Sequence, residues 1–489
     1  MRLHELHIKN FRKLKDCHIK FRDTTFLIGP NNAGKSSVFS ALNHLHKSTN
    51  LDREDYLKEY NSEEEIYIYK DEVEVIAEYH NVPDAAHGWV GFKGRVVSSL
   101  EKLASETGNS IVYKKVWSLN QSKPKIFMKE YPRTRSPFYA ACAKVSDLVG
   151  EDYSEIFLKE HFGDVNFDKS LTIAINKLKL LDLPACWDIQ EHEEAIWVEN
   201  PGGIPGNVQS KLPRIVVIPA ESCIAELTSS GGALFSLLSD LFEQVRSRSQ
   251  NYTQAQEFLN NLAAELDPND RTTDFGMLIR DLNGMVGNLF PDSSVHVSAT
   301  LDVPYKSIKP QFNVEMESNV KTAVNYQGHG MIRATAFQLL RFVQDFINKN
   351  ADEPRATIFC FEEPEIYLHP AAANQMRDSL YDLAGPNCQI VATTHSPYMV
   401  NLGSEKSVSL TKFNFTACNS STTNSFNFEN AFLTLQDDEK QNLKMLLKVD
   451  DYISRMFFTK KCIFVEGDTE EVVIRETIRR LSTEDKAKV

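Results

Sequence analysis

The sequence contains no apolar run approaching the roughly 18 residues a bilayer-spanning helix needs, so it offers no candidate membrane segment. Its opening, MRLHELHIKNFRKLKD, mixes charges with single apolar residues. That excludes the continuous apolar stretch of a secretory signal there, and the expected location is the cytoplasm. Cysteine is sparse: 8 in 489 residues, placed singly from Cys17 to Cys462 with no CxxC pair. This argues against a structural zinc site of the CxxC kind and against a disulfide framework. Positive charge is in deficit, with 54 Lys and Arg against 67 Asp and Glu, a net charge of −13. An acidic chain can still meet nucleic acid, but only through a local basic surface. The segment from Lys9 to Arg22 holds six Lys and Arg and is one candidate; a solvated strand edge explains the same charges equally well.

What is present is an ordinary globular balance, 42% hydrophobic and 25% charged, in a chain long enough for more than one domain. LHELHIKNF reads as a strand, and CHIKFRDTTFLIG as a second. Alternation in HIKFRD predicts a half-buried strand, whereas the run Phe26-Leu27-Ile28 predicts a fully buried one. From Ser37 onward, Val38, Phe39, Leu42 and Leu45 keep helical spacing. EEIYIYKDEVEVIAEYH alternates with period two and predicts an antiparallel hairpin. Residues 85–210 are the least legible and are expected to be an insertion. A buried strand is expected at Ile215 to Ile218, helices over 231–290, and two further strands in ATIFCF and CQIVATTH. ACNSSTTNS is expected to be a loop or hairpin tip, and a last strand in KCIFVEGD is expected to precede a final helix.

Gly29-Pro30-Asn31-Asn32-Ala33-Gly34-Lys35-Ser36 is a full GxxxxGK(S/T) match between a buried run and a helix, the context this motif requires. Its glycines let backbone N–H groups turn inward around phosphate oxygens, and the helix N-terminus adds partial positive charge. Lys35 is suited to the β- and γ-phosphates, and the Ser36 hydroxyl to Mg2+. Gly29, Asn31, Asn32, Gly34, Lys35, Ser36 and Ser37 are therefore the candidate ATP-binding residues. Thr357 to Glu363 is an apolar strand ending in two carboxylates. The pattern suits Glu362 to the metal and Glu363 to the general base that polarises the attacking water. His395, in Thr393-Thr394-His395-Ser396-Pro397, ends the next strand, where an imidazole can meet the γ-phosphate.

The order of phosphate loop, Glu362-Glu363-Pro364-Glu365 with Leu368-His369-Pro370, and Thr393-Thr394-His395-Ser396-Pro397 resembles the ABC-type ATPases of the SMC/RecF/OLD group. The resemblance implies an α/β fold, an ABC/SMC-head-like P-loop ATPase with a helical insertion. It also implies a signature segment that caps ATP bound to another subunit, for which Gly328 and Gly330 in Gln327-Gly328-His329-Gly330 are the candidates. Here the usual Ser-Gly-Gly pattern is absent. Ile463-Phe464-Val465-Glu466-Gly467-Asp468-Thr469-Glu470 looks like the opening of a Toprim domain, and the fusion of the two is the OLD-family architecture. That resemblance assigns Glu466 to metal binding or acid–base chemistry, and Glu470 to the same Mg2+ or Mn2+.

The expected organisation is an ATPase domain over residues 1–435, with 231–290 a candidate dimerisation region, then a linker helix and the start of a Toprim domain over 436–489. Toprim catalysis also needs paired aspartates on a later strand, and no Asp-x-Asp follows Glu466. Three alternatives stay open: truncation, completion elsewhere, or inactivity. The expected function is an ATPase coupled to a metal-dependent DNA endonuclease in antiphage defence. It would work as a homodimer or larger homo-oligomer, with DNA and with a defence-system partner protein or a retron RNA–DNA element as possible partners. The alternative is a RecF/SMC-like ATP-dependent switch or scaffold whose partner carries the activity.

Overall fold

In the computed structural model, the described residues are 1–220 apart from 48, 62–65, 99–107, 181–182 and 191–193, scattered positions between 242 and 342, then 355–401, 406–415, 420–427 and most of 454–482. The chain divides into two units, residues 1–220 with 353–489, and residues 221–352. The second unit holds one described hairpin, Glu315–Glu317 with Lys321–Ala323. The expected helices over 231–290 and the Gln327–Gly330 loop lie largely or wholly outside the described residues.

The first unit is organised by one 13-stranded mixed sheet. Five of its strands form a parallel group. Strands Val408–Phe415, Thr24–Ile28, Cys388–Thr393, Thr357–Glu362 and Arg214–Ile218 lie side by side in that order, all pointing the same way. Parallel strands covered on both faces read as continuous apolar runs. Accordingly Phe26, Leu27, Ile28, Phe359 and Cys360 are fully buried, as is Ile390. The rest is antiparallel apart from the parallel pairing of Ser421–Asn427 with Leu14–Lys20. Arg2–Phe11 pairs with Leu14–Lys20 and Glu72–His80, and the ladder continues through Asn109–Ser118, Lys125–Glu130 and Ile196–Glu199. A helix, Lys35–His46, packs Val38, Phe39, Leu42 and Leu45 into the main core, as their spacing predicts.

Three expectations need correction. The stretch from Cys17 to Gly29 is two strands, because the chain leaves the sheet between Lys20 and Thr24. Val408–Phe415 and Ser421–Asn427 then stand between the two in the sheet. Alternation reports which face a residue takes and cannot report that the chain has changed place. The expected hairpin from Ile66 to His80 is also absent: Ile66–Tyr69 pairs with Lys58–Asn61, and Glu72–His80 goes to the main sheet. Lastly, the apolar run before Glu466 is not a strand at Cys462, Ile463 or Val465, and Ile463 and Val465 are exposed. An apolar run becomes a strand only beside a ladder partner, and no described strand pairs with it.

Residues 85–210 prove to be of two kinds. Asn109–Ser118, Lys125–Glu130 and Ile196–Glu199 belong to the main sheet. Residues between Tyr139 and Cys186 form a small core of their own around Leu148, Leu158, Phe162 and Leu183.

Candidate functional site

The five parallel strands deliver their carboxyl ends to one edge, where open α/β sheets hold their ligands. The loop after Thr24–Ile28 leaves that edge and enters the helix at Lys35. Two glycines are required by its path. Gly29 has φ +144°, and a Cβ there would stand 2.8 Å from the carbonyl oxygen of Phe413 on the adjacent strand. Gly34 has φ +89°, and its Cβ would meet the Leu14 side chain at 2.7 Å. Asn32 is also left-handed, with φ 63°, a conformation asparagine tolerates. The residues fit a phosphate group: Asn31, Asn32 and Ser36 are exposed along the loop, at a helix N-terminus with no acidic residue in its first turn.

Lys35 is 7% exposed. Its ammonium donates to the carbonyls of Gly29 at 3.0 Å and Pro30 at 2.9 Å, and lies 2.9 Å from His395 Nε2. His395 Nε2 is in turn 3.7 Å from Glu363 Oε1. Burial lowers the Lys35 pKa below its usual value, with the Glu363 carboxylate acting the other way. The His395 pKa is also lowered, chiefly by burial and next by the Lys35 charge, again opposed by Glu363.

Glu362 and Glu363 part where their strand ends. Glu362 is the last strand residue, opposite Thr393, and its Oε2 accepts from the Ala220 N–H at 3.3 Å. Glu363 has φ 43°, an uncommon conformation for a residue with a Cβ. Its N–H is shared between the Thr393 carbonyl at 3.0 Å and the Thr393 hydroxyl at 3.1 Å. That turn points the two adjacent carboxylates differently, one toward the Arg214–Ile218 side and one toward His395 and Lys35. Hard carboxylate and hydroxyl oxygens of the kind Glu362 and Ser36 supply suit Mg2+.

Glu365 carries a role the sequence reading gave to no residue. Its Oε1 accepts from the Thr394 hydroxyl at 2.6 Å and the His395 N–H at 3.2 Å, so it fixes the loop that holds the imidazole. Its Oε2 is buried without a hydrogen-bond partner. Burial, and then repulsion from Glu363, raise its pKa. A cavity of ≈ 370 Å³ opens beside it, lined also by Asn374, Ser396 and Tyr398. The signal available in the sequence was the second acid of Glu363-Pro364-Glu365, two residues past the strand end.

Residues 1–400 match the AAA ATPase domain family. The chain belongs to that family. This AAA ATPase is 27% identical over 223 residues to the Old nuclease of Escherichia phage P2, covering 43% of this chain and 37% of that protein. It is 24% identical over 178 residues to the endonuclease GajA of Bacillus cereus, covering 33% of this chain and 26% of that protein. The OLD resemblance drawn from the motifs agrees with both. The aligned part thus spans well under half the length of each curated relative. Among solved structures, it is similar to an SMC head bound to the C-winged helix domain of ScpA. The TM-score is 0.43 at 13% identity, covering 88% of this chain and all of that one.

The remaining predicted residues of this AAA ATPase fall elsewhere. Gly328 and Gly330 lie outside the described residues. Glu466 and Glu470 are both exposed. Glu470 sits in the first turn of helix Asp468–Arg480, and its Oε2 would be 3.2 Å from a Cβ at Gly467. Asp468, Glu470 and Glu471 open that helix and Arg479 and Arg480 close it, the arrangement its dipole favours. Among the described residues, neither glutamate belongs to a three-membered cluster able to hold a metal ion. No described helix is long and apolar enough to cross a membrane.

Proposed function

We propose that this chain binds and hydrolyses ATP at the loop Gly29–Ser37, and that it gates a metal-dependent DNA nuclease in a longer OLD-type protein used in antiphage defence. The convergence of Lys35, His395 and Glu363 on one sheet edge, from three separate stretches of sequence, carries the ATPase half. In this reading the loop N–H groups hold the phosphates, and Lys35 exchanges its two carbonyl partners for phosphate oxygens. Ser36 and Glu362 would hold Mg2+, which supplies charge neutralisation on the phosphates. Glu363 accepts a proton from the attacking water. His395, oriented by Glu365 through the loop it braces, meets the γ-phosphate. Gly328 and Gly330 would complete the site from a second copy of the chain, which makes a two-fold homodimer the default assembly.

The nuclease half rests on Glu466 and Glu470, on the Toprim resemblance, and on relatives that are themselves named as nucleases. Their hard oxygens suit Mg2+ or Mn2+. The exposure of Ile463 and Val465, which belong to no described strand, favours a second reading, in which the ATPase is a RecF/SMC-like switch whose partner, protein or RNA–DNA, carries the activity.

Steady-state ATP hydrolysis and nucleotide binding test the ATPase half together. Glu363→Gln should retain binding and lose about 10²–10⁴-fold in turnover. Lys35→Ala should weaken binding itself. A Glu363→Gln turnover near that of the parent chain refutes the role given to Glu363.

A further inference from the structure

One cluster of side chains belongs to none of this chemistry. His7 and His18 are directly opposed in the antiparallel pairing of Arg2–Phe11 with Leu14–Lys20. Their side chains therefore leave the same face, and the rings stack with centroids 3.6 Å apart and planes 24° from parallel. Asp16, two residues before His18, shares that face. Its Oδ1 is 2.5 Å from His7 Nε2 and 3.7 Å from His18 Nε2. One donor atom from each of the three lies within 4.8 Å of the others. On the far side of the His18 ring, Nδ1 is 3.7 Å from Glu5 Oε1.

Two imidazoles that turn the same nitrogen toward one carboxylate oxygen form a donor set of two nitrogens and one oxygen. We propose that His7, Asp16 and His18 bind a divalent transition ion of the zinc class, with Glu5 as the outer carboxylate that orients His18. Donor atoms about 2.0–2.1 Å from a tetrahedral zinc stand about 3.4 Å from one another. The two distances to Asp16 bracket that value; binding requires Asp16, whose side chain is 58% exposed, to shift and the two stacked rings to splay so that both in-plane lone pairs meet the ion. Histidine ligands commonly hand their second ring nitrogen to a carboxylate, which fixes the ring and strengthens it as a ligand. Glu5 Oε1, 3.7 Å from His18 Nδ1, has to close to hydrogen-bond distance to do so. The fourth position would be taken by water. Imidazole donors suit zinc, nickel or copper, whereas Mg2+ prefers oxygen, so the site is chemically distinct from the metal site proposed beside the phosphate loop.

The place of the cluster gives binding a consequence. The turn of this hairpin backs the phosphate loop: Lys13 donates to the Asn32 carbonyl at 3.4 Å, and Leu14 lies against Gly34. An ion held by both strands staples the hairpin across its ladder.

The test is titration of the full chain, carrying Cys462→Ser to remove an exposed thiol, with Zn2+ by calorimetry and with Co2+ by visible absorption. One site of micromolar or tighter affinity is expected, with the d–d bands of low-coordinate Co2+ and a higher Tm in Zn2+ than in EDTA. His7→Gln with His18→Gln should remove that site and its bands. Glu5→Gln should weaken it about tenfold. If the double variant does not fold, His18→Gln alone, at a half-exposed position, should abolish the Co2+ bands. Absence of a site in the parent chain, or unchanged affinity and bands in the histidine variants, overturns the proposal.

Discussion

Lys35 Nζ lies 2.9 Å from His395 Nε2, a contact between residues 360 positions apart that joins the phosphate loop to the end of the neighbouring parallel strand. An ammonium has donors only, so Nε2 must be the acceptor and the imidazole is neutral, with its proton on Nδ1. Burial and the Lys35 charge both hold it there.

His395 should therefore titrate below its usual 6.5. A group that is depressed in the folded state is protonated more readily in the unfolded chain. The stability it contributes is present above pH 6.5 and is lost as pH falls through the folded value. Histidine resonances followed against pH, with His395→Gln to assign the signal, check this. Saturating nucleotide should raise the value, because phosphate charge meets the ring while Lys35 turns to the phosphates. A His395 that titrates at or above 6.5 without nucleotide contradicts the arrangement.

Glu365 should show the opposite sign. Its carboxyl is raised above the usual 4.5 by burial and then by Glu363, so the folded state keeps a proton that the unfolded chain releases. Its contribution is full below pH 4.5 and declines as pH rises through the folded value. Glu365→Gln keeps an oxygen for Thr394 and His395 and gives the unpartnered buried position a permanent donor. Denaturant unfolding at several pH values should find the variant no less stable than the parent at pH 7, and progressively less favoured toward pH 4. Glu365→Ala, which abandons two donors, should lose about 1–3 kcal/mol and lower ATP turnover as the His395 loop loosens.

The phosphate loop was legible because its path dictates residue types: a Cβ at Gly29 would collide with the Phe413 backbone, so the motif is a steric requirement written in sequence. The parallel strands were legible for a related reason, since burial on both faces leaves unbroken apolar runs such as Ile358–Phe361 and Ile390–Ala392. Pairing was not legible. Glu72–His80 alternates whether it closes a local hairpin or joins Arg2–Phe11, and the run at Cys462 to Val465 is apolar whether or not a ladder waits beside it. The bracing role of Glu365 is not legible, because a carboxylate two residues beyond a strand end usually meets water. Only the fold turns it back onto Thr394. His7 and His18 do not read as a pair because eleven positions of sequence conceal a direct cross-strand pairing.

Gly29→Ala should be far more damaging than its single methyl suggests. The backbone sits at φ +144°, and the added carbon would come within 2.8 Å of the Phe413 carbonyl oxygen, an atom fixed in the sheet. Backbone strain of this kind costs roughly 1–3 kcal/mol, before any displacement of the Val408–Phe415 strand. Thermal unfolding should fall by several degrees, and nucleotide affinity should fall further than stability alone explains, because the loop's N–H groups shift together. Ser40→Ala, on the helix Lys35–His46 that follows the loop, serves as the control. Equal nucleotide affinities for Gly29→Ala and the control would show that the loop does not need its observed path.

The carboxylates near the chain's end offer the last test. Glu466 precedes Gly467, and Glu470 folds back beside that glycine from the first helical turn. Two neighbouring acids that share a cation are relieved of mutual repulsion, whereas two acids that only complement a helix dipole gain at most about 1 kcal/mol each. The two cases respond differently to substitution. If the pair holds the nuclease metal, a longer protein containing this chain should cut DNA with Mg2+ or Mn2+. Glu466→Ala should then abolish cleavage while ATP hydrolysis continues, and Glu470→Gln should raise the metal concentration needed for half-maximal cleavage. If the pair serves the helix alone, both substitutions should lower helix stability slightly and leave cleavage unchanged. Residues 1–489 alone should hydrolyse ATP without cutting DNA. Metal-dependent cleavage by that chain, purified free of partners and retained in Glu466→Ala, would place the nuclease chemistry somewhere other than Glu466.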